Sequence, residues 1–202
     1  HHRYLHSSPT RRSSDLWCYR HGLLQTAALP VPVIVVGNIT VGGSGKTPFV
    51  IWLAQALRNA GYRPGIITRG YGGKARRWPL SVTPGSDPQQ VGDEAVLLAR
   101  RTGVPVAADP DRVRAAQLLI DRFSVNVVVS DDGLQHYRLP RVAEIIMLDG
   151  ARGLGNGWRL PAGPLREPPA RLQEADFIIC KAAADTGMSS MPTGTLSMQL
   201  RM

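Results

Sequence analysis

A glycine-rich segment followed by lysine and threonine has the clearest capacity for chemistry in this sequence. It reads Gly42-Gly-Ser-Gly-Lys-Thr47. Glycines let the backbone curl until its N–H groups face phosphate oxygens, and a helix that starts there adds the positive end of its dipole. Lys46 can then reach the β- and γ-phosphates of a nucleotide, and the Thr47 hydroxyl can bind Mg²⁺. The segment therefore predicts a phosphate-binding loop.

The residues on either side of this segment predict the elements that a phosphate loop requires. Residues 33–36 form a short β-branched run that predicts a buried parallel strand. Residues 48–60 predict a helix with its apolar residues on one face. The strict loop motif begins with glycine, where this sequence has Thr40, so the motif fails at one position. A glycine-rich turn with an incidental lysine is the structural alternative.

A second candidate element is an apolar run that ends in two carboxylates. Residues 127–132 read VVVSDD. At the carboxyl edge of a strand beside the phosphate loop, Asp131 and Asp132 can hold Mg²⁺ directly or through water. Acidic residues after a strand are also common turn formers, which is the structural alternative. His136 is equally a site residue or an ordinary loop histidine.

Two acidic residues, Asp93 and Glu94, open a helix predicted over 92–101. Carboxylates at this position complement the helix dipole, which is a sufficient structural explanation. In the catalytic interpretation, Asp93 is the general base for a substrate hydroxyl, and sequence spacing does not decide between the two. The loop at 68–74 and the long irregular segment 153–169 have the character of functional loops.

Strands and helices alternate along most of the chain, which predicts an α/β fold. We expect a three-layer, P-loop NTPase-like parallel sheet with helices on both faces. The further predicted strands are residues 65–68, 104–107, 125–130, 144–149 and 176–180, and the last predicted helix is 110–123. Weak alternation near 196–200 indicates the start of another strand.

The composition of the 202 residues suits a folded core, with 43% apolar residues and 19% charged ones. It excludes a wholly disordered, collagenous or coiled-coil chain. The two cysteines lie far apart without a nearby metal-binding pattern, so neither a disulfide framework nor a zinc site is indicated. The net charge of +9 fits nucleic acid, anionic lipid headgroups and phosphorylated small molecules equally well. A nucleic-acid-binding module is disfavoured because no recognised motif or aromatic interleaving is present.

Taken in this order, the segments resemble the tetraacyldisaccharide 4′-kinase family of lipid A biosynthesis. The resemblance runs from about residue 30 to residue 181. It implies ATP-dependent, Mg²⁺-dependent phosphorylation of the 4′-hydroxyl of a tetraacyl glucosamine disaccharide 1-phosphate. It also implies a peripheral protein at the cytoplasmic face of the inner membrane of a Gram-negative bacterium. The resemblance rests on VGNITVGGSGKTP (36–48), TRGYGG (68–73), VGDEAVLLA (91–99), DR (111–112), SDDGLQH (130–136) and LDGARGLGNGWRLPAGPLREP (148–168).

The resemblance also implies roles for individual residues. Asp93 matches the family's proposed base, and Arg112 matches an arginine that steadies phosphate. Asp131 and Asp132 match the magnesium-associated carboxylates, and we group Glu94 and Thr47 with them. The implied partners are the lipid A disaccharide precursor and the membrane surface, with no nucleic acid. The implied ATP-binding loop comprises Thr40, Val41, Gly42, Gly43, Ser44, Gly45, Lys46 and Thr47, and threonine at position 40 is normal in the family.

The two ends of the chain depart from the family pattern. Residues 1–16 have the character of translated sequencing adapter or a disordered tail, and they stand where the family has an amphipathic membrane helix. We expect the kinase domain at 17–181. Residues 182–202 are expected to be a linker and the start of a C-terminal lobe that is mostly absent.

The missing lobe carries the histidine thought to pair with the base, so we expect this chain to bind MgATP but to transfer phosphate very slowly. The alternative function is a P-loop switch or partition ATPase that acts through protein partners. Such proteins often carry an additional lysine early in the loop, and positions 40–44 contain none.

Overall fold

Strands and helices alternate through residues 23, 25–181 and 194–199, which this computed structural model describes. The tail predicted at 1–16 and most of the linker predicted at 182–202 lie outside the described residues. The elements are β1 (Val33–Gly37), α1 (Lys46–Asn59), β2 (Pro64–Thr68), β3 (Leu80–Val82), α2 (Pro88–Val91), α3 (Asp93–Thr102), β4 (Val106–Ala108), α4 (Arg112–Phe123), β5 (Val127–Asp131), β6 (Ala143–Asp149), a 3₁₀ helix (Pro169–Glu174), β7 (Phe177–Lys181) and β8 (Leu196–Met198).

The described strands form an eight-stranded sheet in the order β3-β4-β2-β5-β1-β6-β7-β8. Neighbouring strands are parallel except for β3 and β4, which are antiparallel. Because β1 lies between β5 and β6, the loop that leaves its carboxyl end is flanked by the ends of both strands. We predicted a parallel sheet and did not identify β3 from the sequence. Its 3 residues carry too little alternation to be recognised.

Helices cover both faces of this sheet, because successive strand residues point to opposite sides. Val36 of β1 packs in one hydrophobic cluster with Val50 of α1 and Leu98 of α3. Its neighbour Val35 packs in a second cluster with Leu119 of α4. The predicted three-layer α/β class is therefore confirmed.

The observed elements differ from the predicted ones mainly at their ends. The first helix begins at Lys46 rather than at residue 48, so it starts inside the phosphate loop itself. The strand predicted at 104–107 is displaced to Val106–Ala108. The alternation near residue 196 is a strand, β8. Local sequence patterns locate an element well and its terminal residues poorly.

A buried network of ion pairs holds the end of the long segment after β6 against the sheet. Arg171 of the 3₁₀ helix is 6% exposed and pairs with Glu144 of β6. Its guanidinium also lies 3.2 Å from a carboxylate oxygen of Glu167 and 3.2 Å from one of Glu174. Buried charges are tolerated only when they are paired in this way. The segment is therefore fixed to the sheet rather than a freely solvated connector.

Candidate nucleotide site

The phosphate loop connects β1 to α1 and leaves the start of the helix without a capping side chain. Gly45 is the N-cap residue, with φ 80°, and as a glycine it has no side chain to accept a hydrogen bond from the first turn. The first N–H groups of a helix have no partner within the helix, so these groups are free to bind an anion. The Ser44 hydroxyl is buried, and among the described residues it has no hydrogen-bond partner. The loop thus offers backbone and hydroxyl groups to phosphate.

Lys46 lies between an amide and a carboxylate that come from two neighbouring strands. Its Nζ donates to Oδ1 of Asn38 at 2.8 Å and lies 3.1 Å from Oδ1 of Asp132. Asn38 is fully buried, and its Nδ2 donates to the carbonyl of Thr40 at 2.7 Å. Asn38 therefore fixes both the start of the loop and the lysine. We did not single it out from the sequence, where its signal is a lone amide directly after an apolar strand.

The Thr47 hydroxyl donates to Oε1 of Glu94 at 2.6 Å. This bond joins the first turn of α1 to the first turn of α3. Glu94 also lies close enough to the buried Asp131 for its charge, after burial itself, to raise the pKa of that carboxyl. The structure thus brings together Lys46, Thr47, Glu94 and the two aspartates that the sequence analysis named separately.

Asp131 and Asp132 are adjacent in sequence and differ in environment. Asp131 is 1% exposed, and neither of its carboxylate oxygens has a hydrogen-bond partner among the described residues. Burial, reinforced by the charge of Glu94, raises the pKa of Asp131 to about 7. Burial also acts to raise the pKa of Asp132, but Lys46 and Arg166 outweigh it and hold that pKa below its ordinary value. Arg166 donates to Oδ2 of Asp132 at 3.0 Å.

These oxygen atoms fit the coordination chemistry of Mg²⁺. The two bare oxygens of Asp131 and the hydroxyl of Thr47 are hard donors of the kind that Mg²⁺ prefers. Within the described ranges, no three His, Cys, Asp or Glu residues are grouped as a ready-made metal cage. Mg²⁺ in nucleotide sites normally uses one or two protein carboxylates, with phosphate and water completing the shell. The residues present therefore suit a metal ion that arrives with a nucleotide.

Two further predicted residues lie close enough to the carboxylates to interact with their charges. Arg112 is 2% exposed and donates to the carbonyl of Asp109 at 2.8 Å. Burial lowers the pKa of Arg112 to about 10, although the charges of Asp132 and Asp131 oppose this shift. Burial and the positive charge of Arg112 lower the pKa of His136 to about 3, so His136 is neutral at pH 7. His136 therefore lies near the charged groups of the site, and the choice between a site residue and a loop histidine stays open.

The loop at residues 69–73 packs against the start of α3, where Asp93 is exposed. Gly92 makes this contact possible. Its φ is 90°, and a Cβ atom there would lie 2.3 Å from the carbonyl oxygen of Tyr71. The close approach places Asp93 beside the loop that the sequence analysis singled out. Its carboxylate is accessible to a substrate hydroxyl, and its role as the base stays a prediction.

The long segment after β6 also reaches the site, which sequence reasoning did not resolve residue by residue. Leu165 forms an isolated β-bridge with Thr40, and the N–H of Val41 donates to the carbonyl of Pro164 at 2.8 Å. The next residue, Arg166, pairs with Asp132 at 3.0 Å. The only signal for Arg166 in the sequence is its position in the quoted segment 148–168.

A phosphate loop on a parallel sheet, with an acidic strand end beside its lysine, defines a P-loop NTPase-like protein with a nucleotide site. Over residues 10–202 the chain matches the family model described as LpxK, tetraacyldisaccharide-1-P 4′-kinase. The chain belongs to this family.

Individual relatives agree with the family match. The chain is 61% identical over 166 residues to a tetraacyldisaccharide 4′-kinase from Alkalilimnicola ehrlichii, covering 82% of this chain and 50% of the relative. It is 56% identical over 175 residues to one from Nitrosococcus oceani, covering 87% of this chain and 52% of the relative. The chain thus spans about half the length of the curated relatives it matches.

Solved structures give the same result. A crystal structure of LpxK from Aquifex aeolicus, described as an "apo" form in complex with ATP, superposes with a TM-score of 0.79. The sequences are 34% identical, and the match covers 95% of this chain and 60% of that chain. The signal recognition particle receptor FtsY from Elizabethkingia anophelis, in complex with GDP, matches with a TM-score of 0.52 at 17% identity, covering 93% of this chain and 63% of that one. This second likeness concerns the fold alone.

Proposed function

We propose that this chain is the nucleotide-binding part of a kinase that phosphorylates the 4′-hydroxyl of a tetraacyl glucosamine disaccharide 1-phosphate. The observation that carries the proposal is the position of Lys46, 3.1 Å from Asp132 at the mouth of an uncapped phosphate loop. The names of the relatives supply the substrate class. Membership of a kinase family favours this function over the switch or partition ATPase.

The proposed reaction is a direct transfer between two oxygen atoms. The 4′-oxygen attacks the γ-phosphorus of ATP, the bond to the β–γ bridging oxygen breaks, and ADP leaves. The hydroxyl proton goes to the carboxylate of Asp93, which is exposed at the start of α3. Such transfers depend on positioning and on charge stabilisation more than on covalent groups of the protein.

Positive charge around the phosphates comes from the loop and from two arginines that interact with the aspartates beside it. Lys46 exchanges its contact with Asp132 for phosphate oxygens, since Arg166 still pairs with that carboxylate. Arg112 steadies the acidic strand end through its charge interaction with Asp132 and Asp131. Mg²⁺ held by Thr47, Glu94 and these aspartates would neutralise the β- and γ-phosphate oxygens.

The catalytic part of the proposal is tested by the Asp93→Asn variant. The measurement is transfer of radiolabel from ATP to the disaccharide precursor, using this chain extended with the C-terminal half of the Alkalilimnicola ehrlichii relative. Loss of a general base is expected to lower the transfer rate by about 10²- to 10⁴-fold. MgATP affinity should stay unchanged, because Asn keeps the shape of the side chain. Unchanged transfer in the variant, or no transfer by the unsubstituted protein, would contradict the proposal.

We also propose that the protein works at the cytoplasmic face of the inner membrane, bound to the membrane surface. The net charge of +9 is compatible with attraction to anionic lipid headgroups. In the segment that contacts the phosphate loop, Trp158 is 66% exposed and Leu160 is 40% exposed. Tryptophan is well suited to a membrane–water interface. No helix in the described part of the chain has the length and apolar character to span a bilayer.

Co-sedimentation with lipid vesicles tests this location. We expect the chain to bind vesicles rich in phosphatidylglycerol and to bind pure phosphatidylcholine vesicles more weakly. The double variant Trp158→Ser, Leu160→Ser should bind less, whereas Tyr62→Ser, in the turn between α1 and β2 and 50% exposed, serves as the control. A membrane contact through this segment would be contradicted if the unsubstituted chain bound neither kind of vesicle. It would also be contradicted if the double variant bound as well as the Tyr62→Ser control.

A further inference from the structure

The turn that follows β6 lies beside the phosphate loop because of the strand order. β6 pairs in parallel with β1, with Ile146 opposite Gly37. Both strands therefore run toward the same edge of the sheet. β6 ends at Asp149, three residues beyond this pair, at the level of the loop. Any side chain carried by the turn after Asp149 emerges next to the nucleotide site.

Hydrogen bonds fix the shape of this turn. The carbonyl of Asp149 accepts from the N–H of Arg152 at 3.2 Å and from the N–H of Gly153 at 2.8 Å. Its Oδ1 accepts from the N–H of Ala151 at 3.0 Å. The N–H of Gly150 donates to the carbonyl of Lys181 in β7 at 2.9 Å. The backbone of Arg152 is therefore held in one place rather than on a loose connector.

The side chain of Arg152 lies directly against the phosphate loop at Gly42. A Cβ atom built on Gly42, whose φ is 103°, would lie 2.7 Å from Nη1 of Arg152. The guanidinium thus occupies the space into which any side chain at position 42 would project. Gly42 is four residues before Lys46, which reaches the β- and γ-phosphates.

Arg152 is exposed, and among the described residues its guanidinium has no acidic partner. By contrast, Lys46 and Arg166 both pair with Asp132. A cation held beside a phosphate loop without a carboxylate is placed to bind a phosphate oxygen of the ligand. The backbone N–H groups of the loop enclose the inner phosphates, so a side chain from outside the loop reaches the terminal phosphate.

We infer that Arg152 contacts the γ-phosphoryl group of bound ATP and stabilises its charge during transfer. The inference rests on the proposed function and adds to it a residue from the turn after β6. An arginine supplied by the same chain to the transferring group is a known device of phosphoryl transfer. The guanidinium also suits this role because its planar donors can bind two phosphate oxygens at once.

The test compares MgATP with MgADP, because only ATP carries the γ-phosphate. Calorimetric titration of the chain with each nucleotide is made for the unsubstituted protein, Arg152→Ala and Arg152→Lys. Arg152→Ala is expected to weaken MgATP binding by about 10- to 100-fold and to leave MgADP binding unchanged. Arg152→Lys keeps the positive charge but loses the planar pair of donors. Its MgATP affinity should therefore lie between those of the unsubstituted protein and Arg152→Ala. Arg122→Ala removes an exposed arginine at the last turn of α4 and serves as the matched control.

The outcomes separate this inference from the proposed function. Equal loss of MgATP and MgADP affinity in Arg152→Ala, or no loss of either, overturns the γ-phosphate contact. Failure of the unsubstituted chain to bind MgATP overturns the proposed function as well. Melting temperatures without nucleotide identify a variant that is unfolded, and Arg152→Lys then decides the case alone, since it preserves the charge and most of the side-chain length. In the extended kinase, Arg152→Ala should lower kcat more than it raises KM.

Discussion

At the residue scale, the site depends on two adjacent carboxylates whose surroundings have opposite effects. Asp132 faces two cations, and its pKa is lowered. Asp131 is buried beside Glu94 without a hydrogen-bond donor among the described residues, and its pKa is raised to about 7. A divalent cation would supply the positive charge that Asp131 lacks. Asp131 therefore lacks a positive partner that a metal ion would supply, whereas Asp132 already contacts Lys46 and Arg166.

Replacing Lys46 with alanine tests the role of the loop lysine. We expect MgATP affinity to fall by about 10- to 100-fold, because a charged partner of the phosphates is lost. The fold should persist, since Arg166 still neutralises Asp132 at 3.0 Å. Calorimetry gives the affinity and thermal unfolding gives the stability, with Arg122→Ala as the control. Unchanged affinity in a folded Lys46→Ala protein would refute the assignment of this lysine.

The raised pKa of Asp131 predicts a specific dependence of stability on pH. The folded protein keeps this proton up to about pH 7, whereas the unfolded chain releases it near 3.8, the ordinary pKa of an aspartate. The resulting contribution to the free energy of unfolding is complete below the unfolded pKa and is lost as the pH rises through the folded pKa. Asp131→Asn should remove it, with a difference in slope of up to about 1.4 kcal/mol per pH unit.

Urea unfolding of the metal-free protein and of Asp131→Asn, at several pH values across this window, measures the difference. The free energy of unfolding of the unsubstituted protein should fall relative to that of Asp131→Asn as the pH rises. Parallel curves would show that the Asp131 carboxyl is already ionised in the folded protein at low pH.

At the element scale, the start of α3 is where three parts of the site meet. Glu94 binds Thr47 of α1 at 2.6 Å, Asp93 is exposed at the helix start, and Gly92 lies under Tyr71. The last contact leaves no room for a side chain at position 92. The position of the proposed base therefore depends on the packing of a neighbouring loop against the helix start.

Gly92→Ala should destabilise the fold more than the same substitution at Gly61. Gly92 and Gly61 have nearly the same φ, 90° and 87°, but a Cβ atom at position 61 meets nothing within 4 Å. We expect a cost of about 1 kcal/mol for Gly61→Ala from backbone strain alone. Gly92→Ala should cost about 3 kcal/mol, because the backbone at Tyr71 must also move. Chemical denaturation measures both, and equal costs would show that the contact at position 92 adjusts freely.

At the scale of the whole molecule, the sheet gathers segments that are distant in sequence at the carboxyl ends of β1, β5 and β6. These segments form the nucleotide site within the described residues. The chain nevertheless spans only about half the length of its curated relatives, at 50% and 52% of the first two. Nucleotide binding and phosphate transfer can therefore be separated by experiment.

We expect this chain alone to bind MgATP and to transfer phosphate far more slowly than its extended version. Ligand at about 100 times its Kd should stabilise the folded state by about 2.7 kcal/mol, which corresponds to a rise in melting temperature of about 5 to 10 °C. Slow transfer is expected because Asp93 is exposed, so water is poorly excluded from the proposed base. Equal transfer rates for the two proteins would show that the described site is sufficient for catalysis.

The family, the phosphate loop and the alternating α/β pattern were determined by the sequence itself. These features are local: a strand, a turn and a helix each leave their own periodicity and their own glycines within a few residues. The same reasoning identified Asp131 and Asp132 as a strand end rich in charge. It misplaced element boundaries by a residue or two and did not detect β3, because short segments carry little pattern.

Only the tertiary structure decided which of these groups meet. Thr47 and Glu94 are 47 positions apart and share a hydrogen bond, and Arg152 lies against Gly42. Such contacts follow from strand order and from the close packing of turns at one edge of the sheet. Hydrophobic periodicity reports which face of an element is buried and carries no information about which strands are neighbours. The opposite pKa shifts of Asp131 and Asp132 likewise depend on neighbours that only the assembled sheet provides.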